Sequence, residues 1–179
     1  MKCIRSDPRT SQLLDVWKGS EPLLRSDFYF WAARSDVPKS FQGLLRSILY
    51  SLLEQHQHFI PLVFPDVCRT IQSERPIDTA LTISELTLAL RLLVEGCRPI
   101  KICLFIDGLD EYSGDHRELV SQIGDLSVYS QVKFMVSSRP WPVFEEAFKN
   151  KEHLLLEKVA ALLTRERWGQ LCDFAFTSS

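Results

Sequence analysis

The chain has 179 residues, about the size of one domain, and its 45% of hydrophobic side chains is enough to build a buried core. Its 21 Lys and Arg residues nearly balance its 23 Asp and Glu residues, so it lacks the basic surface that binds nucleic acid or anionic membranes. Continuous apolar runs are far shorter than the ~20 residues of a membrane-spanning helix, and the N-terminus lacks the apolar stretch of a signal peptide. Composition therefore predicts a cytoplasmic protein whose partners include neither nucleic acid nor a membrane.

The first half of the chain predicts a helix, a strand and a second, clearer helix. The first helix is expected to end near Trp17 with Gly19 as its stop, and the aromatic-rich residues 27–33 predict a strand. A helix is then predicted over 41–53, where apolar residues recur at i, i+3, i+4, i+7 and i+8. Prolines within 59–82 predict broken helix and loop there.

The second half of the chain alternates between helical and strand-like patterns. A capping box over Thr82–Glu85 opens a helix that is expected to close at Gly96. Residues 101–107 form a continuous apolar run, which is typical of a strand that helices cover on both faces. The remaining elements are predicted as helices at 115–128 and around 143–148 and as strands at 131–137 and 153–157. The alternation predicts an α/β fold with a mostly parallel sheet flanked by helices.

Three carboxylates follow the apolar strand of the second half. Asp107 ends the run, and Asp110 and Glu111 come shortly after Gly108. In open α/β sheets ligands bind beyond the carboxyl ends of the strands, so the three carboxylates are expected at a ligand-binding edge. Carboxylates that lie close together repel one another unless a cation neutralises them, and Mg²⁺ is the usual partner where phosphate oxygens and water complete its coordination.

Other interpretations of this acidic segment stay open. Asp107 would cap the following helix, with Asp110 and Glu111 in solvent, if the segment bound nothing. A two-carboxylate glycosidase is compatible with the composition, although nothing in the sequence identifies a sugar site. An EF-hand is excluded because Leu109 stands at its third ligand position and Tyr112 where its loop needs glycine.

Cysteine and histidine spacing does not predict a metal site. The five cysteines lack CxxC spacing and are expected to be reduced thiols that pack as small hydrophobic residues. His56 and His58 are two positions apart on a predicted helix, so their rings are expected to point away from each other.

Three stretches of the sequence resemble the NACHT domains of fungal NLR-like proteins, which are STAND-type P-loop NTPases. The stretches are FYFWAARSDVPKSFQGLLRSILYSLLEQ, KICLFIDGLDEY and VKFMVSSRPW, in the order and spacing of that family. The resemblance covers residues 1–157, and residues 158–179 form a short, divergent C-terminal tail. It implies a three-layer, P-loop NTPase-like fold with a mostly parallel sheet.

The resemblance also implies roles for individual residues. Asp107 matches the Walker B aspartate, which helps to hold Mg²⁺. Asp110 and Glu111 match the acidic pair that positions or activates the attacking water. Ser138 and Arg139 match the sensor-like end of the next strand, which reports on the γ-phosphate of the nucleotide.

The sequence contains no GxxxxGK[ST] loop, the Walker A element that holds the β- and γ-phosphates in such NTPases. Residues 1–10 resemble the stretch that directly follows this loop, so the resemblance implies a domain truncated just after Walker A, without the strand before it. Tight binding of ATP or GTP by this chain is therefore not expected. The missing strand is also expected to leave two inner strand edges of the sheet unpaired.

These observations lead to one main functional hypothesis and two others. The main hypothesis is a fragment of a Mg²⁺- and ATP- or GTP-dependent signalling switch, of the class used in fungal non-self recognition such as heterokaryon incompatibility, and inactive alone. The alternative is a non-catalytic module that pairs with other NACHT or NLR-like chains as a homo- or hetero-oligomer. A metal-dependent hydrolase built on Asp107, Asp110 and Glu111 alone would need a second cluster of ligands, which the sequence does not offer.

Overall fold

The computed structural model describes residues 1–30, 39–72 and 81–153. The tail predicted at 158–179 lies outside these residues, and so does the strand predicted at 153–157 except for His153, which is in neither helix nor strand. No helix in the described part of the chain is long and apolar enough to cross a membrane.

A parallel sheet of three strands forms the centre of the fold, in the order β1-β2-β3. The strands are β1 (Leu23–Tyr29), β2 (Lys101–Asp107) and β3 (Val132–Val136). The central strand β2 is buried over residues 102–106, as its continuous apolar run predicts. The predicted α/β class, with a parallel sheet flanked by helices, is confirmed.

The helices lie close to where the sequence patterns predict them. In the described residues they are α1 (Lys2–Ser6), α2 (Pro8–Lys18), α3 (Phe41–Gln55), α4 (Ile60–Val63), α5 (Pro65–Gln72), α6 (Ile83–Gly96), α7 (His116–Ser127) and α8 (Pro142–Phe148), with single turns of 3₁₀ helix at Gln57–Phe59 and Leu109–Glu111. The short helices between residues 57 and 72 confirm the broken helix predicted for the first part of 59–82, whereas residues 73–80 of that segment lie outside the described residues.

Each face of the sheet packs against its own hydrophobic core. Leu104 and Ile106 of β2 belong to the larger core, which α3, α6 and α7 complete on one face. Cys103 and Phe105, which alternate with them, pack on the opposite face against Leu14 of α2. The alternation of side chains along one strand therefore gives three layers, with helices on both sides of the sheet.

Hydrogen bonds from side chains and one glycine explain where several helices begin and end. The predicted capping box is present: Glu85 N–H donates to Thr82 Oγ1 at 3.3 Å, and Thr82 N–H donates to Glu85 Oε2 at 2.7 Å. Asp7 caps α2 by accepting a bond from Arg9 N–H at 2.9 Å. α2 ends at Gly19, whose φ of 61° is readily adopted only without a side chain.

Strand β1 begins earlier than the aromatic pattern predicts. It spans Leu23–Tyr29 rather than 27–33, of which 31–33 lie outside the described residues. Alternate residues of β1 are buried, but one of them is the polar Ser26, which hides the alternation in the sequence. The first residue of β1 already pairs with Lys101, so pairing with β2 decides where the strand begins.

The prediction for the neighbouring histidines is wrong. The rings of His56 and His58 meet edge to face, with their centroids 5.4 Å apart. His56 lies just beyond the end of α3, and His58 belongs to the 3₁₀ turn Gln57–Phe59. The geometry of one continuous α-helix, on which the prediction depended, therefore does not apply.

Candidate functional site

Asp107 lies at the carboxyl end of the central strand, between residues from the two strands beside it. The register pairs it with Tyr29 of β1, and Ser137 directly follows β3 on its other side. The Ser137 hydroxyl donates a hydrogen bond to the Asp107 carboxylate. The ends of three parallel strands therefore bring one side chain each to the same edge of the sheet.

A tight turn follows Asp107 and carries the other two predicted carboxylates; we call residues 107–111 the carboxylate turn. Gly108 adopts φ 77° and ψ 48°, a left-handed conformation that strains other residues. The N–H groups of Gly108 and Leu109 donate to the Ser137 carbonyl at 3.0 and 2.9 Å. Leu109 is fully buried, so both the backbone and the core hold the turn in place.

Asp110 pairs with Arg139, and this pair joins the carboxylate turn to the segment after β3. The distance from Arg139 Nε to Asp110 Oδ2 is 3.2 Å, and Arg139 N–H donates to Asp110 Oδ1 at 3.1 Å. The Asp110 side chain is only 8% exposed, whereas that of Arg139 is 74% exposed. A carboxylate that is nearly buried needs a partner, and here the guanidinium and the backbone N–H supply it.

Glu111 pairs with Lys39, which lies just before α3. Lys39 Nζ is 2.7 Å from Glu111 Oε2, and both side chains are about one-third exposed. The Lys39 carbonyl accepts two further bonds from Ser113, from its N–H at 2.9 Å and from its hydroxyl at 2.6 Å. The start of α3 is thus attached to the carboxylate turn and to the residues that follow it.

An aromatic cluster packs beside the carboxylate turn. The His116 ring makes edge contacts with Tyr112, Trp141 and Phe144, at centroid distances of 5.7, 5.3 and 5.5 Å. Tyr112 directly follows the carboxylate turn, and the other two aromatic residues follow β3. Edge-to-face aromatic contacts are favourable, so the cluster holds the segments after β2 and β3 together.

The first residues of the chain lie at the same edge of the sheet. Lys2 Nζ is 5.3 Å from the centroid of the Tyr29 ring, and Arg5 pairs with Asp27 at 2.8 Å. Burial raises the pKa of the Tyr29 hydroxyl, and the carboxylates of Asp27 and Asp107 raise it further. α1 therefore contacts the strand end that pairs with Asp107.

The predicted site residues share one edge of the sheet, but they do not converge on a common point. Asp107, Asp110 and Glu111 each pair with a different partner, so the turn separates carboxylates that the sequence places close together. Across the described ranges, no group of three or more His, Cys, Asp and Glu side chains is placed to hold a metal ion. Arg139 contacts Asp110, whereas Ser138 is exposed to solvent.

The Asp107 carboxylate nevertheless suits a Mg²⁺ ion that is held jointly by the protein and a bound phosphate. Mg²⁺ prefers oxygen ligands, keeps several waters and is commonly bound by one or two carboxylates together with substrate phosphates. The carboxylate of Asp107 is only partly buried and lies at the end of its strand, where such a ligand set can be completed from outside.

Two residues at this edge, Ser137 and Lys39, are not predicted from the sequence. Ser137 lies beside Asp107 because β2 and β3 pair with a constant offset of 30 positions, a register that the two adjacent serines do not encode in the sequence. Lys39 is 72 positions away from Glu111, and no local pattern links two residues so far apart.

The fold and this edge together define an α/β domain with acidic side chains at the carboxyl end of the central strand of a parallel sheet. A family model described as "Nephrocystin 3, N-terminal" matches residues 10–139, which is more than half of the chain. The chain belongs to this family. The match includes the three strands, the carboxylate turn and Arg139. No curated protein and no solved structure matches the chain.

Proposed function

We propose that this chain is part of a NACHT-type P-loop NTPase domain of the fungal NLR-like class and takes part in a nucleotide-dependent signalling switch in the cytoplasm. The observation that carries the proposal is the contact between the carboxyl ends of β2 and β3, including the segments that follow them. Asp107 accepts a hydrogen bond from Ser137, and Asp110 forms an ion pair with Arg139. These two strand ends are the segments that resemble Walker B and the sensor. Their contact brings both segments to the carboxyl edge, where ligands bind in open α/β sheets, and this supports the proposal.

Each side chain at this edge has a distinct role in the proposal. Asp107 would hold Mg²⁺, which when bound neutralises charge on the phosphate oxygens. Asp110 and Glu111 would orient the attacking water, once ligand entry draws their cationic partners away. Arg139 has an exposed guanidinium, and with Ser138 it would contact the γ-phosphate.

A nucleotide site of this kind needs a phosphate-binding loop, and residues 1–179 contain no GxxxxGK[ST] sequence. A Walker A loop leads directly into a helix, and the loop's backbone N–H groups hold the phosphates. α1 lies at the correct edge for this role, because Lys2 contacts Tyr29 and Tyr29 pairs with Asp107. Without that loop, the 179 residues are expected neither to bind ATP or GTP tightly nor to turn it over.

The test is to extend the chain before Met1 by a strand and a GxxxxGKS loop, and to follow its thermal unfolding with Mg·ATP and Mg·GTP. We expect one nucleotide to stabilise the extended chain by about 2.7 kcal/mol at one hundred times its Kd. The unextended chain should show no shift at the same concentration. Replacing the loop lysine by alanine is the matched control, and it should remove the shift.

An extended chain that melts cooperatively and still shows no nucleotide-dependent shift would contradict the proposal. Cooperative melting establishes that the chain is folded. The absence of binding would then mean that the carboxyl edge does not complete a nucleotide site.

The alternative function is a non-catalytic module that pairs with other NACHT or NLR-like chains. One observation favours it: β3 pairs with β2 on one side, and no strand among residues 1–30, 39–72 and 81–153 pairs with its other edge. An apolar strand edge can accept a strand from a second chain.

Sedimentation equilibrium of the unextended chain distinguishes this alternative from the switch. Pairing through β3 predicts a defined oligomer, and Asp107→Asn should leave its association constant unchanged because Asp107 belongs to β2. A chain that stays monomeric at all concentrations would contradict the alternative.

A further inference from the structure

We propose that Ser137 is the positioning residue of the metal site, and that its hydroxyl holds the Asp107 carboxylate in the orientation that binds a divalent cation. This inference rests on the proposed function, because it takes Asp107 as the metal ligand. Ser137 itself contacts neither metal nor nucleotide and acts through Asp107.

The hydrogen bonds around Ser137 fix the direction in which its hydroxyl donates. Gly108 N–H donates to Ser137 Oγ at 3.2 Å, so the oxygen is already used as an acceptor. The single hydroxyl proton is directed to Asp107 Oδ1. An ionised carboxylate can only accept hydrogen bonds, and this is therefore the consistent arrangement for an Asp107 that is charged and ready to bind a cation.

The backbone of Ser137 is held independently of its side chain. Its N–H donates to the Ile106 carbonyl at 3.0 Å, and its own carbonyl accepts bonds from Gly108 and Leu109. These bonds remain when the hydroxyl is removed. Ser137→Ala therefore deletes the contacts of one oxygen and keeps the attachment of the carboxylate turn to β3.

The expected effect follows from the chemistry of metal-binding carboxylates. A carboxylate fixed by a hydrogen bond loses less rotational freedom when it binds a cation than one that turns freely. Removing such an outer partner commonly weakens metal affinity by about 10- to 100-fold. Ser130, an exposed serine just before the opposite end of β3, has no part in the proposed site and offers a matched control.

The experiment is a Mn²⁺ titration of the 179-residue chain, followed by paramagnetic broadening of its backbone amide NMR signals. Broadening reports weak metal binding and needs no nucleotide. We expect the Gly108 amide to broaden in the wild-type chain and not in Asp107→Asn. Ser137→Ala should need about 10-fold more Mn²⁺ for the same broadening, Ser137→Thr should restore the wild-type response, and Ser130→Ala should match wild type.

Two outcomes would overturn the inference, and they are distinguishable. If Asp107→Asn abolishes the broadening while Ser137→Ala and Ser130→Ala both respond as wild type, Ser137 has no positioning role and the metal site stands. If the wild-type chain does not broaden at Gly108, or Asp107→Asn broadens equally, Asp107 does not hold a cation in this chain and the inference fails. The proposed function is tested separately, by the nucleotide-dependent shift of the extended chain. The unfolding midpoint of each variant shows that the chain is folded.

Discussion

The Lys39 ammonium lies 2.7 Å from the Glu111 carboxylate, although 72 positions separate the two residues in the chain. Two bonds from Ser113 to the Lys39 carbonyl strengthen the same junction. The start of α3 and the carboxylate turn therefore form one unit. A ligand that draws Lys39 away from Glu111 would also change the contact between these two segments.

Lys39→Met should lower the free energy of unfolding by about 0.2–1 kcal/mol, because the pair is partly exposed and water screens it. Urea unfolding of Lys39→Met, Glu111→Gln and the double variant gives the coupling energy between the two side chains. The Arg91–Asp125 pair, at 3.3 Å and with side chains 46% and 52% exposed against 39% and 37% for Lys39 and Glu111, is the control and should show weaker coupling. Equal coupling in the two pairs would contradict a special role for the Lys39–Glu111 contact.

Leu90→Ala and Leu88→Ala should differ sharply, although both change leucine in α6. Leu90 is 1% exposed in the larger core, whereas Leu88 is 57% exposed. We expect Leu90→Ala to cost about 2–5 kcal/mol of unfolding free energy through lost packing and a cavity. Leu88→Ala should change it by less than about 0.5 kcal/mol. Similar losses from the two substitutions, measured by urea unfolding, would mean that α6 packs with another face inward.

The stability of the N-terminal helices should depend on pH through Asp7. Hydrogen bonds from the Arg9 side chain and backbone lower the pKa of the Asp7 carboxyl from 3.8 to about 2. A lowered pKa in the folded state means that this stabilisation is complete above the unfolded value and disappears as the pH falls through about 2. The carboxyl ¹³C shift of Asp7 should titrate with that midpoint.

Asp7→Asn is the matched variant, because asparagine also caps helices but carries no charge. Its unfolding midpoint should lie below that of the wild-type chain near neutral pH and approach it in acid. If the difference in unfolding midpoint between the two chains stays constant as the pH falls to about 2, the charge of Asp7 does not contribute to stability.

The thiols of Cys3 and Cys103 should react at very different rates. Burial raises the pKa of the Cys103 thiol to about 12, whereas Cys3 is an exposed free cysteine. Because the thiolate is the reactive form, iodoacetamide should modify Cys3 and leave Cys103 intact in the folded chain. Peptide mapping by mass spectrometry, with a urea-unfolded control, measures both rates. Modification of Cys103 at the rate of Cys3 would show that this face of β2 is open to solvent.

The sequence predicts elements well where burial and pattern agree. β2 has the predicted bounds because both of its faces are covered, and a run of apolar residues is then unambiguous. α6 begins where its capping box predicts, because that signal is local. β1 is different: its buried Ser26 breaks the pattern, and only pairing with β2 sets its first residue.

The candidate site is predictable only in part, for a related reason. The position of Asp107 at the end of β2 follows from the sequence, because the strand itself does. The choice between Ser137 and Ser138 depends on the register of β3 against β2, which two adjacent serines do not encode. The separation of the carboxylates depends on partners that are distant in the chain, such as Lys39.

Whether the carboxyl edge holds Mg²⁺ and a nucleotide is decided by the thermal shifts of Asp107→Asn and Asp115→Asn, both made in the chain extended by a Walker A loop. Asp115 caps α7 and accepts a bond from Arg117 N–H at 2.8 Å, a role that asparagine can keep. If the carboxyl edge is a Mg²⁺-nucleotide site, the thermal shift with Mg·ATP or Mg·GTP should disappear in Asp107→Asn, persist in Asp115→Asn and require Mg²⁺. A shift that survives in Asp107→Asn would show that nucleotide binds without this carboxylate, and the account of the edge as a magnesium site would be wrong.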